Sequence, residues 1–198
     1  MTPEELGRLF ESFRYSAFRL ECLPSYDVTE DAERESFRLW LAGERPRGQE
    51  RGWPELVASA VAAGKSMRRV RMVETPLTEY QRFQCSWGYP ANVAAGEAIY
   101  ILDHRPDGLL EVDFWVFDDE TVVVLEYDAA GRFVRPVVAE TLEPYLQARD
   151  MALKASVPFR EYGARTGMRL EVFMQERLND PAVMDEVARS ALRGRTDK

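Results

Sequence analysis

Three carboxylates in a row, Asp118, Asp119 and Glu120, lie between two strand-like runs in the stretch EVDFWVFDDETVVVLEYDAAGRF, Glu111 to Phe133. Acids at that density can hold a divalent cation or turn a hairpin. A magnesium site draws its carboxylates from separate elements, so Asp118 would need Asp103 and Asp113, the other candidates, to converge on it. Successive strand residues face opposite sides, and Asp118 and Asp119 therefore cannot serve one site if pairing runs through them. Adjacent aspartates suit a turn, because the side chain bonds its own backbone. Asp113, Trp115 and Phe117 alternate with Val112, Phe114 and Val116, so the run before the turn is apolar on both faces, as in a central strand. The expectation is a hairpin without a metal.

Two other groups of residues have chemical potential. His104 is the only histidine and sits in DHRPDG, a loop signal; a His-based zinc set cannot form, which leaves a lone general base as its one chemical role. In EYQRFQCSWGYPANVAAGE a helix would bring Tyr80, Gln84 and Trp87 to one face, with Phe83 beside them and Tyr89 just beyond. Aromatic rings with polar handles fill cores and binding surfaces alike. Together with the nearby guanidiniums, Arg71, Tyr80, Arg82, Trp87 and Tyr89 form the candidate site for an anion or a peptide. The chain carries no glycine fingerprint for a dinucleotide, no phosphate loop and no nucleophile elbow. It is expected to be non-enzymatic and to need no cofactor.

The elements that would position these residues follow from capping and periodicity. Thr2, Pro3 and Glu5 form a capping box with proline in the first turn, predicting a helix to about Phe13. SAFRLECL alternates Ala17, Arg19 and Glu21 with Phe18, Leu20 and Cys22, predicting a strand with one wet face that ends at Pro24. Asp27 and Glu30 are a second capping pair, before a helix through Phe37, Trp40 and Leu41 that closes at Gly43. Glu44 to Gly52 lacks apolar residues and reads as a loop. A helix from Pro54 stops at Gly64 and leads into a strand at Val70–Val73. Another helix, capped by Thr78, ends at Gly88, and YPANVAAGEA reads as an irregular loop. Ile99–Asp103 is a short strand, the hairpin adds two more, and a long helix runs to Pro158. Two helical segments occupy the tail, with apolar positions at Val172, Phe173, Met174 and Leu178.

This order predicts an α/β fold: a single domain at 1–162 with a mixed central β-sheet flanked by helices, and a helical C-terminal extension at 163–198. The 198 residues suit one domain, and 45% apolar with 30% charged residues is a globular composition. The net charge of −8 argues against direct nucleic-acid binding. Charge is uneven: Glu97 to Asp128 holds ten acids against Arg105 alone, whereas Lys65 to Arg82 carries five bases against Glu74 and Glu79. Cys22 and Cys85 are too sparse for a disulfide framework and read as buried thiols in a reducing cytoplasm. No window is apolar enough to span a membrane, and the acidic start MTPEELGRLF is not a secretory signal.

The segments FRLECLPSY, PLTEYQRFQCSWGYPANVAAGEAIYILD, DFWVFDDETVVVLEYDAAGRF and ARDMALKASVPF resemble an actinomycete family known as a domain of unknown function, over about Phe13 to Tyr162. The resemblance implies an accessory protein encoded beside helix-turn-helix regulators. LVASAVAAGKSMRRVRMV with FWVFDDETVVVLEYD is more remotely similar to half of a phospholipase D-like sheet core. Those enzymes use His-x-Lys; here His104 is followed by Arg105 and Pro106, so the resemblance implies a catalytically dead relative. The function expected is therefore that of a cytoplasmic accessory protein, a monomer or homodimer. It would bind a partner, a helix-turn-helix regulator, through the acidic Glu97 to Asp128 region and the tail. The alternatives are a metal-dependent nuclease-like toxin or enzyme acting on nucleic acid, using the acids near Asp118, and a small-molecule sensor using the Trp87 region.

Overall fold

The computed structural model describes residues 1–27, 31–44 and 52–168. Helix α1 (Pro3–Ser12) opens with the expected capping box: the Glu5 backbone N–H donates to Thr2 Oγ1, and the Thr2 N–H donates to the Glu5 carboxylate at 2.8 Å. It feeds β1 (Ser16–Glu21), which is followed by α2 (Asp31–Leu41), α3 (Gly52–Ala62) and β2 (Ser66–Met72). A continuous helical segment comes next, α4 (Glu79–Phe83), a π-helical turn (Gln84–Gly88) and α5 (Tyr89–Ala95). Then come β3 (Ala98–Leu102), β4 (Phe114–Phe117), β5 (Thr121–Tyr127), β6 (Phe133–Val138), α6 (Glu143–Ala155), β7 (Val157–Pro158) and α7 (Phe159–Thr166).

The strands form one seven-stranded mixed sheet in the order β6-β5-β4-β1-β2-β3-β7. β1, β2 and β3 are parallel neighbours, whereas β4 joins β1 antiparallel and β5, β6 and β7 also pair antiparallel. The fold is thus the mixed α/β sheet domain flanked by helices that the sequence predicts. β4 lies inside the sheet and all four of its residues are buried, as its two-sided apolar pattern requires. The outermost strands carry Pro136 and Pro158, residues that cannot donate to a further ladder and so suit an edge.

One sheet face packs against α6, through Phe18, Leu20, Val70, Phe114 and Val122 against Ala148 and Ala152. The opposite face is covered by α1 and α3 near Ala17, Met67, Trp115 and Phe117, and by the π turn, α5 and α7 near Ile99 and Ile101. Between those two apolar patches the second face is charged.

Several expectations need correction. YPANVAAGEA is not an irregular loop: α5 occupies Tyr89–Ala95, because Gly88 takes a right-handed helical conformation and Pro90 falls in a first turn, where its missing N–H is harmless. β6, β7 and α7 were not anticipated: the long helix expected to run to Pro158 ends at Ala155, and Val157–Pro158 pairs with β3. The face of β1 carrying Arg19 and Glu21 is not wet; both are buried. Glu30 of the second capping pair, most of the Glu44–Gly52 loop, and the tail from residue 169 lie outside the described residues.

The three acids turn the β4–β5 hairpin. Asp118 and Asp119 have φ of +55° and +59°, the left-handed pair that tight hairpin turns require and aspartate tolerates. Asp118 also reaches back to α1–β1: its carboxylate accepts from the N–H groups of Arg14 (2.7 Å), Tyr15 (2.7 Å) and Ser16 (2.9 Å). Partial burial opposes ionisation, but those donors outweigh it and hold the Asp118 carboxyl below its usual range. The next turn ties β5–β6 to the loop after β1, where the Asp27 N–H donates to Gly131 O at 3.0 Å. Gly131 has φ +78°, and a Cβ there would stand 2.9 Å from Ser25 O. Gly131→Ala should therefore lower stability by more than about 1 kcal/mol in denaturant titration, a combined effect of strain and clash, and should displace the loop that carries Tyr26.

Candidate functional site

Register explains the charged face. Parallel pairing sets Arg19 beside Arg69 and Glu21 beside Arg71, and antiparallel pairing sets Trp115 on the other side of Arg19. Asp113, two residues before Trp115, and Glu97, just before β3, complete a set of three arginines and three carboxylates, every one at most 8% exposed. Burying ionised groups is tolerated only where partners replace the lost water.

Each carboxylate oxygen has a donor. Glu21 Oε1 faces Arg69 Nη1, and Oε2 accepts from the Tyr89 hydroxyl at 2.8 Å. Glu97 accepts from Arg69 Nε at 2.7 Å and from the Trp53 indole at 2.9 Å. Asp113 Oδ1 accepts from the Cys22 N–H at 2.8 Å, while Oδ2 accepts from Arg19 Nη2 at 2.7 Å and from the Tyr26 hydroxyl at 2.5 Å. The arginines are less complete: Arg19 Nη1 and Arg71 Nη2 are buried without an acceptor. Arg71, fully buried, donates Nε to Gln84 Oε1 at 3.1 Å and Nη1 to the Tyr26 hydroxyl at 3.5 Å. It lies 5.1 Å from the centre of the Tyr26 ring.

Above this floor is an open cavity of about 450 Å³, within the range of small-molecule sites. Arg19, Glu21 and Arg69 line its base, Tyr26, Trp53, Tyr80, Gln84, Trp87, Tyr89 and Tyr127 form its walls, and Asp27 and Glu33 also contribute to the lining. The π turn matters here. Its wider winding inserts an extra residue into the α4–α5 run, and Gln84, Trp87 and Gly88 all contribute to the lining. A second capping box holds α4: the Gln81 N–H donates to Thr78 Oγ1, and Gln81 Oε1 accepts from the Thr78 and Glu74 N–H groups, each at 3.1 Å.

Of the residues singled out by sequence, Tyr80, Trp87 and Tyr89 line this cavity, and Arg71 lies directly behind Tyr26 and Gln84. Arg82 is elsewhere, exposed and paired with Glu79. The acids proposed for a metal do not share a site: Asp113 belongs to the charged floor, Asp103 pairs with Arg165, and Asp118 caps backbone. Among the described residues no three His, Cys, Asp or Glu side chains converge as a ligand set. His104 is exposed in its loop and is not part of the cavity lining. The Lys65–Arg82 bases do not form a surface strip, since Arg69 and Arg71 are interior; Glu97 and Asp113 are likewise missing from the acidic surface. Arg19, Glu21, Tyr26, Arg69 and Glu97 escaped the sequence reading. For Arg19, Glu21 and Arg69 the signal was charge at alternate positions of two strands that otherwise belong inside a sheet; Tyr26 and Glu97 lie outside the strands and carried none.

A family model for a domain of unknown function, DUF6879, matches residues 4–164. The chain belongs to this family. The matched stretch runs from α1 into α7 and so contains every residue that lines the cavity. No curated protein matches the chain, and no described helix is long and apolar enough to cross a membrane.

Several buried groups at and behind the cavity wall are held far from neutrality. Burial opposes ionisation of Glu21, but Arg69, Arg19 and Arg71, with the Tyr89 hydrogen bond, outweigh it and bring its pKa from 4.5 down to about 2. Burial raises the Cys22 and Cys85 thiols to about 12 and the Tyr26, Tyr80 and Tyr89 phenols well above their ordinary value. For Arg19 and Arg69 burial opposes the charge, but Asp113 and Glu21 respectively lead the groups that outweigh it, so both guanidiniums hold their protons more firmly than usual. Because the folded pKa of Glu21 is depressed, its stabilisation is present above about pH 4.5 and is lost as pH falls toward 2. Glu21→Gln should therefore flatten the acid limb of a stability-against-pH curve between these limits. At neutral pH it should cost on the order of 3 kcal/mol in denaturant titration, by the loss of a buried ion-pair partner.

Proposed function

We propose that this chain is a non-enzymatic binding module that takes a small polar ligand into the cavity above the charged sheet face. The observation that carries the reading is the pairing of an open, aromatic-walled volume with a floor of buried ions whose acceptors are all satisfied while donors are left over. Apolar residues of similar size often stabilise a protein interior as well or better, so the presence of three buried arginines beside an open volume supports a role in recognition. Binding is favoured over catalysis because the thiols, phenols and Glu21 around the cavity hold protonation states far from neutral pH, whereas a general acid or base works best with a pKa near the working pH.

The output of ligand binding, in this reading, is contact with a partner protein in the cytoplasm. The resemblance to actinomycete accessory proteins encoded beside helix-turn-helix regulators supports a regulator as that partner. The ring contacts of Phe37 with Tyr80 and Phe83 join α2 to the cavity wall, a physical route by which occupancy could alter an outer surface.

A thermal-shift screen with small polar metabolites tests the reading. A ligand at a hundredfold excess over its Kd stabilises by about 2.7 kcal/mol, which raises the melting temperature of a chain this size by roughly 5–10 °C. Trp87→Ala, which removes a half-buried wall residue, should melt within a few degrees of the parent and lose the response to any hit. Hits whose effect survives both Trp87→Ala and Tyr89→Phe would place binding elsewhere and refute the proposal.

A further inference from the structure

The three buried arginines are not equivalent. Arg19 reaches Asp113 and Glu21, and Arg69 reaches Glu21 and Glu97. Arg71 has no carboxylate within ion-pairing distance among the described residues; its hydrogen bonds go to a carboxamide and a phenol. Its cross-strand neighbour Glu21 is taken by Arg69 and Tyr89. Burial opposes the charge on Arg71, but the surrounding tyrosines and Glu21 keep it protonated. A fully buried guanidinium with Nη2 unpaired is thus a standing demand for an acceptor. Both of its partners, Gln84 and Tyr26, line the cavity, so its charge lies one side chain behind the wall.

Resting on the cavity reading, we propose that the ligand is a monoanion bearing a carboxylate on a flat apolar body. The carboxylate is held at the Arg19–Arg69 floor, and Arg71, which has no carboxylate within ion-pairing distance among the described residues, selects it over a neutral isostere. The donor excess fixes the sign: six carboxylate oxygens already have donors, while Arg19 Nη1 and Arg71 Nη2 have no acceptor. The charge is limited to one because Glu21, Asp113 and Glu97 at the floor and Asp27 and Glu33 in the lining lie close by, and a dianion would meet five like charges. The aromatic walls supply flat faces for the body of the ligand.

The test uses benzoate and benzamide, which share a ring and differ in charge, on the full chain and on Arg71→Met at constant ionic strength. Benzoate should raise the melting temperature of the parent and benzamide should not. The benzoate response should vanish in Arg71→Met, whose free form should melt about 3 °C higher, because an apolar residue of similar length removes an unpaired buried charge. Equal responses to the two probes, or none to benzoate, would overturn the carboxylate assignment. The cavity reading would still be judged by its own screen and wall variants. An Arg71→Met protein that melts below the parent would show Arg71 to be a structural strut and would overturn its role in selection.

Discussion

Moving an ionised side chain from water into a protein interior costs several kcal/mol even after relaxation, and here six such side chains lie together on the middle of one sheet face. Much of the rest of the structure answers that constraint. The carboxylates cannot be supplied by one element, so β1, the segment entering β4 and the residue before β3 each contribute one. Neutral donors come from outside the sheet: Tyr89 from α5, Trp53 from α3 and Tyr26 from the loop after β1. Losing a carboxylate would leave a buried guanidinium short of its partner, a penalty of about 3–5 kcal/mol, and losing a neutral donor would leave a buried carboxylate oxygen without that hydrogen bond, a penalty of about 1–3 kcal/mol. The charged face therefore binds the covering helices to the sheet by specific bonds as well as by apolar contact.

The same constraint creates the opening. A wholly apolar face would be sealed by helices packed as α1 and α3 pack over Ala17 and Met67. Over Arg19, Glu21 and Arg69 the cover is instead the α4–π–α5 run, which contributes two carboxamides, two tyrosines and a tryptophan around an open volume. The π turn lets one short segment present Gln84 and Trp87 to that volume while Cys85 enters the apolar cluster beneath α7. Strain and special turns elsewhere serve this placement: the Gly131 turn fixes the loop bearing Tyr26, and the Asp118 turn locks α1 to β1.

Much of the fold was legible in the sequence, and for identifiable reasons. The capping box at Thr2, the Thr78 cap and the two-sided apolar pattern of Phe114–Phe117 are local signals that the structure leaves intact. Local signals failed where their usual meaning was overridden: Gly88 and Pro90 stay in the helix because one is right-handed and the other lies in a first turn. β6, with Pro136 inside it, is recognisable as a strand only once an edge position is known. Half of the cavity wall was visible as the aromatic spacing of Tyr80, Trp87 and Tyr89. The floor was not, because alternating charge in β1 reads the same whether it faces water or another strand's charges. That Arg19 meets Arg69 and Glu21 meets Arg71 is a fact of register between residues about fifty positions apart.

The central claim, that the charged face is the floor of a ligand site, is tested most directly by a crystal structure of the protein with a ligand that stabilises it. The account predicts electron density for that ligand between the Arg19–Arg69 floor and Trp87, with an acceptor atom within hydrogen-bonding distance of a guanidinium. Density for the ligand on an outer surface, with only water over the arginines, would contradict it.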